Sequence, residues 1–213
     1  MTLKKEAKVL IITILIIYAV IIALFFTKPP SDGYNFIVRL CALLGLASLF
    51  IATIMTPFMV QLYKILGKPF VKIHHIFSIL GLVLITIHPI AFALYKMDLL
   101  VFIPKFDSWI IFWELAGRPA LILIYIAVIA GILNTTFKKI PKYWRLIHGL
   151  NYIALVFGVV HGILIGTDFK NIIILIIYVS MLIISFVVLF LKRYQKYKRL
   201  KAKKKRETIK NTT

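Results

Sequence analysis

Residues Trp144–Gly162 read WRLIHGLNYIALVFGVVHG. Two histidines, His148 and His161, stand thirteen residues apart in a run that is otherwise largely apolar. An ionisable side chain inside a membrane helix is costly and marks a functional site by default. A second run repeats the arrangement: HHIFSILGLVLITIH carries His74, His75 and His88. Two apolar runs with histidines near both ends organise the reading of everything else.

The chain has 213 residues, 62% of them hydrophobic, and a mean hydropathy of +0.97. An ordinary soluble domain is nearer about 45–50% apolar. Several runs approach or exceed the roughly 18 apolar residues that a helix needs to cross a bilayer. A membrane β-barrel would show short alternating segments instead, and none are present. The expected fold class is an all-α polytopic membrane protein, a six-transmembrane-helix bundle with both termini cytoplasmic. The spans fall at about Val9–Phe26, Phe36–Met59, Ile73–Tyr95, Pro119–Phe137, Tyr143–Ile165 and Asn171–Leu191. Pro29-Pro30 stops the first, Pro57 kinks or ends the second, Pro89 bends the third, and Pro119 opens the fourth in its first turn.

The net charge of +20 sits between and after the apolar runs, which reads as a topology signal rather than a nucleic-acid surface. One side of the alternation holds 21 of the 27 lysines and arginines, eleven of them in the tail. The other side holds Lys28, Arg39, Lys96, Lys105, Arg118 and Lys170. The excess marks the first side as cytoplasmic and the chain as a multi-pass protein of the cell membrane, N-in and C-in. Dropping any one span would break this alternation. The N-terminus, MTLKKEAK before an apolar run, resembles a signal peptide, but the run is long and Thr27-Lys28-Pro29-Pro30 suits cleavage poorly, so it is read as a retained first helix.

Residues Met97–Arg118 mix charge with Phe102, Phe106, Trp109, Phe112 and Trp113, which predicts a connector with a short amphipathic helix in the membrane interface. Residues 1–191 form the expected six-helix transmembrane domain. Residues 192–213, KRYQKYKRLKAKKKRETIKNTT, lack an apolar face and are expected to be a disordered basic cytoplasmic tail or to lie along lipid. Cys41 is the only cysteine, so neither an intramolecular disulfide nor a thiolate metal site is available. No GxGxxG turn after a strand and no Walker A sequence occurs, so redox equivalents are expected from a partner or from quinol.

The histidines fall at two levels. The third and fifth spans run in the same direction, placing His74 and His148 near the cytoplasmic end and His88 and His161 near the outer end. At ~1.5 Å per residue the two levels are roughly 20 Å apart, which suits two planar cofactors stacked across a ~30 Å core. At ~100° per residue, a spacing of fourteen leaves His74 within about 40° of His88, while His75 falls about 140° away. His74 is therefore preferred over His75 as the inner ligand. The spacing of thirteen in the fifth span misses this phase for an ideal helix, and bending, tilt or a rotamer has to absorb the difference. Zinc prefers a compact tetrahedral set, often at i,i+3 or i,i+4 spacing. Two imidazoles per level, with no carboxylate or thiol nearby, suit instead an iron whose other four positions belong to a porphyrin. Gly81, Gly149, Gly158 and Gly162 lie on the same helices and offer room for flat rings, although helix packing is their commoner use. Arg118 and Arg145 read as topology or headgroup charges, with pairing to a haem propionate as the alternative. A hydrogen-bonded helix cross-link is the competing role for any single membrane histidine, and it is the one favoured for His75.

The pieces LLGLASLFIATIMTP (43–57), HHIFSILGLVLITIH (74–88), GRPALI (117–122) and WRLIHGLNYIALVFGVVH (144–161) resemble the ferric reductase-like transmembrane domain superfamily. Within it, the chain is closest in character to the haem-binding membrane subunit of the periplasmic methionine-sulfoxide reductase system. The resemblance implies that His88, His148 and His161 are haem ligands. It also implies that His74 stands where ferric reductases and NADPH oxidases carry a fourth ligand and the methionine-sulfoxide subunit tends to carry arginine. The four-histidine pattern favours two bis-histidine haems over the methionine-sulfoxide role.

The function expected from these residues is that of a b-type cytochrome with two haem b groups. Electrons enter from a cytoplasmic flavoprotein or quinol, a flavin or quinone thus being supplied at that side. They pass from the inner haem (His74, His148) to the outer haem (His88, His161) and leave to ferric iron or a partner reductase outside. The chain is then a membrane oxidoreductase or electron-transfer subunit without its own flavin or NAD domain, and with no residue acting as a general acid or base. The rival is a haem-free six-helix permease or assembly scaffold. Scarce intramembrane carboxylates and the lack of a clear inverted repeat weigh against it.

Overall fold

The computed structural model describes residues 4–67, 70–136 and 143–212. Nine α-helices are described: α1 (Lys5–Phe25), α2 (Gly33–Met55), α3 (Met59–Leu66), α4 (Phe70–Lys96), α5 (Trp109–Glu114), α6 (Gly117–Thr136), α7 (Trp144–His148), α8 (Leu150–Ile165) and α9 (Ile172–Thr212). No strand occurs among the described residues. Six helical segments are long and apolar enough to cross a membrane, with α2–α3 and α7–α8 each counting as one. The expected starts of all six fall within a few residues of those observed, whereas the second span continues to Leu66 and the last helix runs well past Leu191. Phe137 and the basic residues Lys68, Lys138, Lys139 and Lys142 lie outside the described residues. Large apolar side chains, among them Val9, Ile12, Leu15, Ile79 and Ile129, cover the outside of the bundle, a surface suited to lipid.

Helix α2 is the hub. It packs along the length of α4 and also meets α1, α8 and α9. Close packing of α2 on α4 rests on two glycines: a Cβ on Gly45 would come within 2.7 Å of Ile85 Cγ2, and one on Gly81 within 2.8 Å of the Leu49 side chain. Small residues at such crossings let helix backbones approach where lipid offers no hydrophobic driving force. Polar ties are few and satisfied. Tyr178 of α9 donates its hydroxyl hydrogen to the Leu43 carbonyl at 2.7 Å, and the Tyr18 and Ser48 hydroxyls are bonded at 2.6 Å. Arg39 of α2 makes a two-pronged ion pair with Asp168, just before α9, at 2.9 Å and 2.6 Å.

The prolines act by their missing N–H. Pro57 lies in a 3-10 turn, Thr56–Phe58, that separates α2 from α3, whereas Pro89 is accommodated inside an unbroken α4. In the connector, Ser108 caps α5 by accepting the Ile111 N–H at 3.2 Å. Phe112 and Trp113 of α5 meet Phe157 of α8 edge-to-face at 5.9 Å and 5.3 Å, while Trp109 and Phe106 stay exposed. The tail differs from expectation. Rather than being disordered, α9 continues as one helix to Thr212, 41 residues in all. At ~1.5 Å per residue that is about 60 Å, twice the apolar thickness of a bilayer. With cationic side chains on successive turns and no glycine or proline after Asn171, nothing in this segment breaks the helix that the last span begins.

Candidate functional site

The two histidine-bearing spans barely touch. Helix α4 is held against α2, and α8 against α6, which leaves α4 and α8 facing each other across a gap. Histidines project into it in pairs. The rings of His74 and His148 have centroids 6.2 Å apart and planes at 69°. Those of His88 and His161 are 6.4 Å apart at 74°. All four expected residues thus come together as the two expected levels. His75 does not join them: it is exposed on the far side of α4, with its ring 6.1 Å from that of His74.

Each paired ring is anchored through Nδ1. His88 donates Nδ1–H to the Val38 carbonyl at 2.8 Å, His161 to Glu114 at 2.6 Å and His148 to Ala127 at 2.9 Å. His74 is held more loosely, 3.4 Å from the Ala52 carbonyl and 3.5 Å from Thr56 Oγ1, with Ser78 Oγ at 3.3 Å from its Nε2. A carbonyl only accepts, so in the neutral rings of His88, His148 and His161 these contacts put the proton on Nδ1 and leave the lone pair on Nε2. Metal-ligating histidines are oriented in this way by a partner on the other nitrogen. The acceptor carbonyls keep register with the histidines: Val38 and Ala52 lie fourteen residues apart on α2, as do His74 and His88 on α4. Glu114 and Ala127 are thirteen apart, as are His148 and His161.

The thirteen-residue spacing works because the fifth span is not one ideal helix. It breaks at Gly149, whose N–H is shared between the Arg145 carbonyl at 3.1 Å and the Leu146 carbonyl at 3.0 Å and whose own carbonyl takes the Tyr152 N–H, three residues on. Such 3-10 bonds wind the chain tighter, adding rotation in the direction this spacing lacks. The Glu114 carbonyl is free for His161 for a related reason. Helix α5 ends there, and the Arg118 N–H turns to Leu115 instead.

At the His88/His161 level lies a cavity of about 530 Å³, within the usual range for small-molecule sites. Its wall is mainly apolar, with Leu43, Leu46, Ala120 and Ile124, and it includes Gly158 and Gly162. Polar groups gather toward the connector end: Asp32, Asn35, Arg39 and Arg118. The backbone N–H of Asn35, at 2.8 Å, is the first cause holding the Asp32 carboxyl below its usual range. Arg118 spends donors on the Leu100 and Ile103 carbonyls of the connector, while Arg145, at the other level, stacks over Trp144 at 5.5 Å.

The donor set fits a metal bound by two trans imidazoles. With metal–nitrogen bonds of about 2.0 Å and about 1.2 Å from nitrogen to ring centre, two such rings stand about 6.4 Å apart. The observed separations are 6.2 Å and 6.4 Å. Among the described residues no group of three or more His, Cys, Asp or Glu side chains is placed to hold a metal ion. Of the four glycines singled out in the sequence, Gly158 and Gly162 line the cavity, Gly81 packs helix on helix and Gly149 makes the break. Sequence reading missed the four acceptor carbonyls, which carry no side-chain signal. It also missed Gly117 and Gly131, whose spacing of fourteen nearly mirrors that of the ligands. Compared with protein-family models, curated proteins and solved structures, the chain matches none.

Proposed function

We propose that this protein is a transmembrane b-type cytochrome of the ferric reductase-like kind, carrying electrons from a cytoplasmic flavoprotein or quinol to an acceptor outside the cell membrane. His74 and His148 hold one haem b and His88 and His161 the other. The observation that supports this most is the pairing itself. Two imidazole pairs, with ring centroids 6.2 Å and 6.4 Å apart, lie between two helices that otherwise barely touch, and each pair could hold one metal ion. Bound haem supplies reversible one-electron chemistry at each level, with axial identity and surroundings setting the potential.

The chain's own residues do the rest. The carbonyls of Val38, Ala127 and Glu114 hold the Nδ1 side of His88, His148 and His161, which leaves Nε2 of the neutral rings as the atom that could bind a metal. The cavity beside His88 and His161 has a mainly apolar wall. Arg118, which lines the cavity and donates to the Leu100 and Ile103 carbonyls, would pair with a carboxylate of the bound group. In this reading the 21 cationic residues on one side put both termini in the cytoplasm. The test is the reduced-minus-oxidised absorption spectrum of the purified protein and of its His161→Ala variant. The wild type is expected to give a b-type signal, and the variant to bind half as much haem. A wild type without a reducible haem signal ends the proposal. An unchanged content in the variant ends the ligand assignment.

A further inference from the structure

Gly117 and Gly131 do not owe their place to backbone conformation: among the described glycines only Gly67 has a positive φ. Both face a ligand. A Cβ on Gly117 would lie 2.9 Å from His161 Cδ2 and 3.0 Å from its Nε2, and a Cβ on Gly131 would lie 3.3 Å from His148 Nδ1. Each also sits beside an anchoring carbonyl, Gly131 four residues after Ala127 and Gly117 three after Glu114. Helix carbonyls point toward the C-terminus while Cα–Cβ bonds tilt back toward the N-terminus, so the side chains at i+3 and i+4 crowd the carbonyl of residue i. A glycine there opens that carbonyl to an outside donor. Four residues beyond Val38 stands the small Ala42, whereas four beyond Ala52, just past the end of α2, stands Thr56, whose hydroxyl itself donates to the Ala52 carbonyl at 2.8 Å.

We infer that Gly117 and Gly131 are positioning residues for the two haem ligands of α8: at each level a bare Cα beside an acceptor carbonyl admits the imidazole edge and sets its rotation. The inference rests on the haem reading above. It assigns α6 a role beyond packing, with one carbonyl-and-glycine pair per haem along its length and at its approach. The contact at Gly117 reaches Nε2 itself and is the tighter of the two. Gly131 meets the other edge of its ring at a distance that a shift of a few tenths of an ångström relieves.

The experiment compares Gly117→Ala, Gly131→Ala and the control Gly33→Ala, whose added methyl would meet nothing within 4 Å. Haem content, low-temperature electron paramagnetic resonance and the midpoint potential of each haem are read, with the two signals assigned by His88→Ala and His74→Ala. Gly117→Ala is expected to lose or shift the outer signal alone. Gly131→Ala is expected to keep both haems and shift the inner signal alone, and Gly33→Ala to change neither. Alanine is the better helix former, so glycines with only a packing role would leave both spectra in place. Unchanged spectra in the first two variants, or equal disturbance of both haems by each, overturn the inference. If the wild type binds no haem, the functional proposal has failed, and ¹⁵N-histidine spectra of the same protein decide the inference. Gly117→Ala must then move His161 out of its Nδ1–H form while His88 stays in it, and an unmoved His161 overturns the inference.

Discussion

Replacing Asp168 by alanine isolates one strong polar tie in a fold that has few. The guanidinium of Arg39 meets both carboxylate oxygens, at 2.9 Å and 2.6 Å, and the side chains are 18% and 8% exposed. Losing one partner of a fully buried pair costs about 3–5 kcal/mol, because the other charge is left desolvated. Here Arg39 keeps the Lys28 carbonyl at 2.9 Å and stacks on Phe25, and it is not fully buried. The expected loss is therefore about 2–3 kcal/mol, below the fully buried range. For a chain of this size each kcal/mol moves the midpoint of thermal unfolding by about 2–4 °C, so Asp168→Ala should melt about 4–12 °C lower. The assay is thermal unfolding in detergent, followed by circular dichroism. An Arg39→Met, Asp168→Leu double variant removes both charges and should recover at least half of that loss. A single variant that melts within about 1 °C of the wild type, or a double variant whose loss is the sum of the two single losses, refutes the claim that the pair holds α2 to the start of α9 as one unit.

Two further outcomes separate neighbouring roles. His74→Ala should lose the inner haem, whereas His75→Ala, which removes an exposed ring from the far side of α4, should keep both; pyridine haemochrome content of the two variants distinguishes them. Tyr178→Phe deletes the hydroxyl that reaches the Leu43 carbonyl at 2.7 Å from a fully buried position. It should cost about 0.5–1.5 kcal/mol, read in the same unfolding assay, without changing haem content.

The apolar runs made the six long helices legible, because twenty or so apolar residues have one stable form in lipid. Histidine pairing was legible in α4, where fourteen residues nearly close a whole number of turns. Nothing in composition marked the tail as helical. A basic run without an apolar face reads as unstructured, yet a helix already nucleated by the preceding span needs only propagation, and Lys and Arg propagate well. Arg39 looked like a topology charge because its partner, Asp168, is 129 residues away, and no local spacing connects them. The acceptor carbonyls were beyond reach for a simpler reason, since every residue has one.

The fifth span shows why spacing alone misjudges such a site. Thirteen residues at ~100° each leave two side chains about 140° apart, which argues against one cofactor-bearing face. The chain makes up part of that angle at Gly149, where 3-10 bonds turn each residue by closer to ~120°. An imidazole is also held by its Nδ1–H partner, and His148 and His161 are bonded to the Ala127 and Glu114 carbonyls. Ala127 and Glu114 are themselves thirteen apart on a segment interrupted between α5 and α6. The ligand span and the span that anchors it therefore carry matching interruptions, and each histidine meets its carbonyl although neither spacing is helical. Phase along one helix is thus the wrong criterion here. The criterion that works is equal spacing on two packed segments, one of ligands and one of acceptors, and it holds on both walls of the gap: fourteen on α2 and α4, thirteen on α5–α6 and α7–α8.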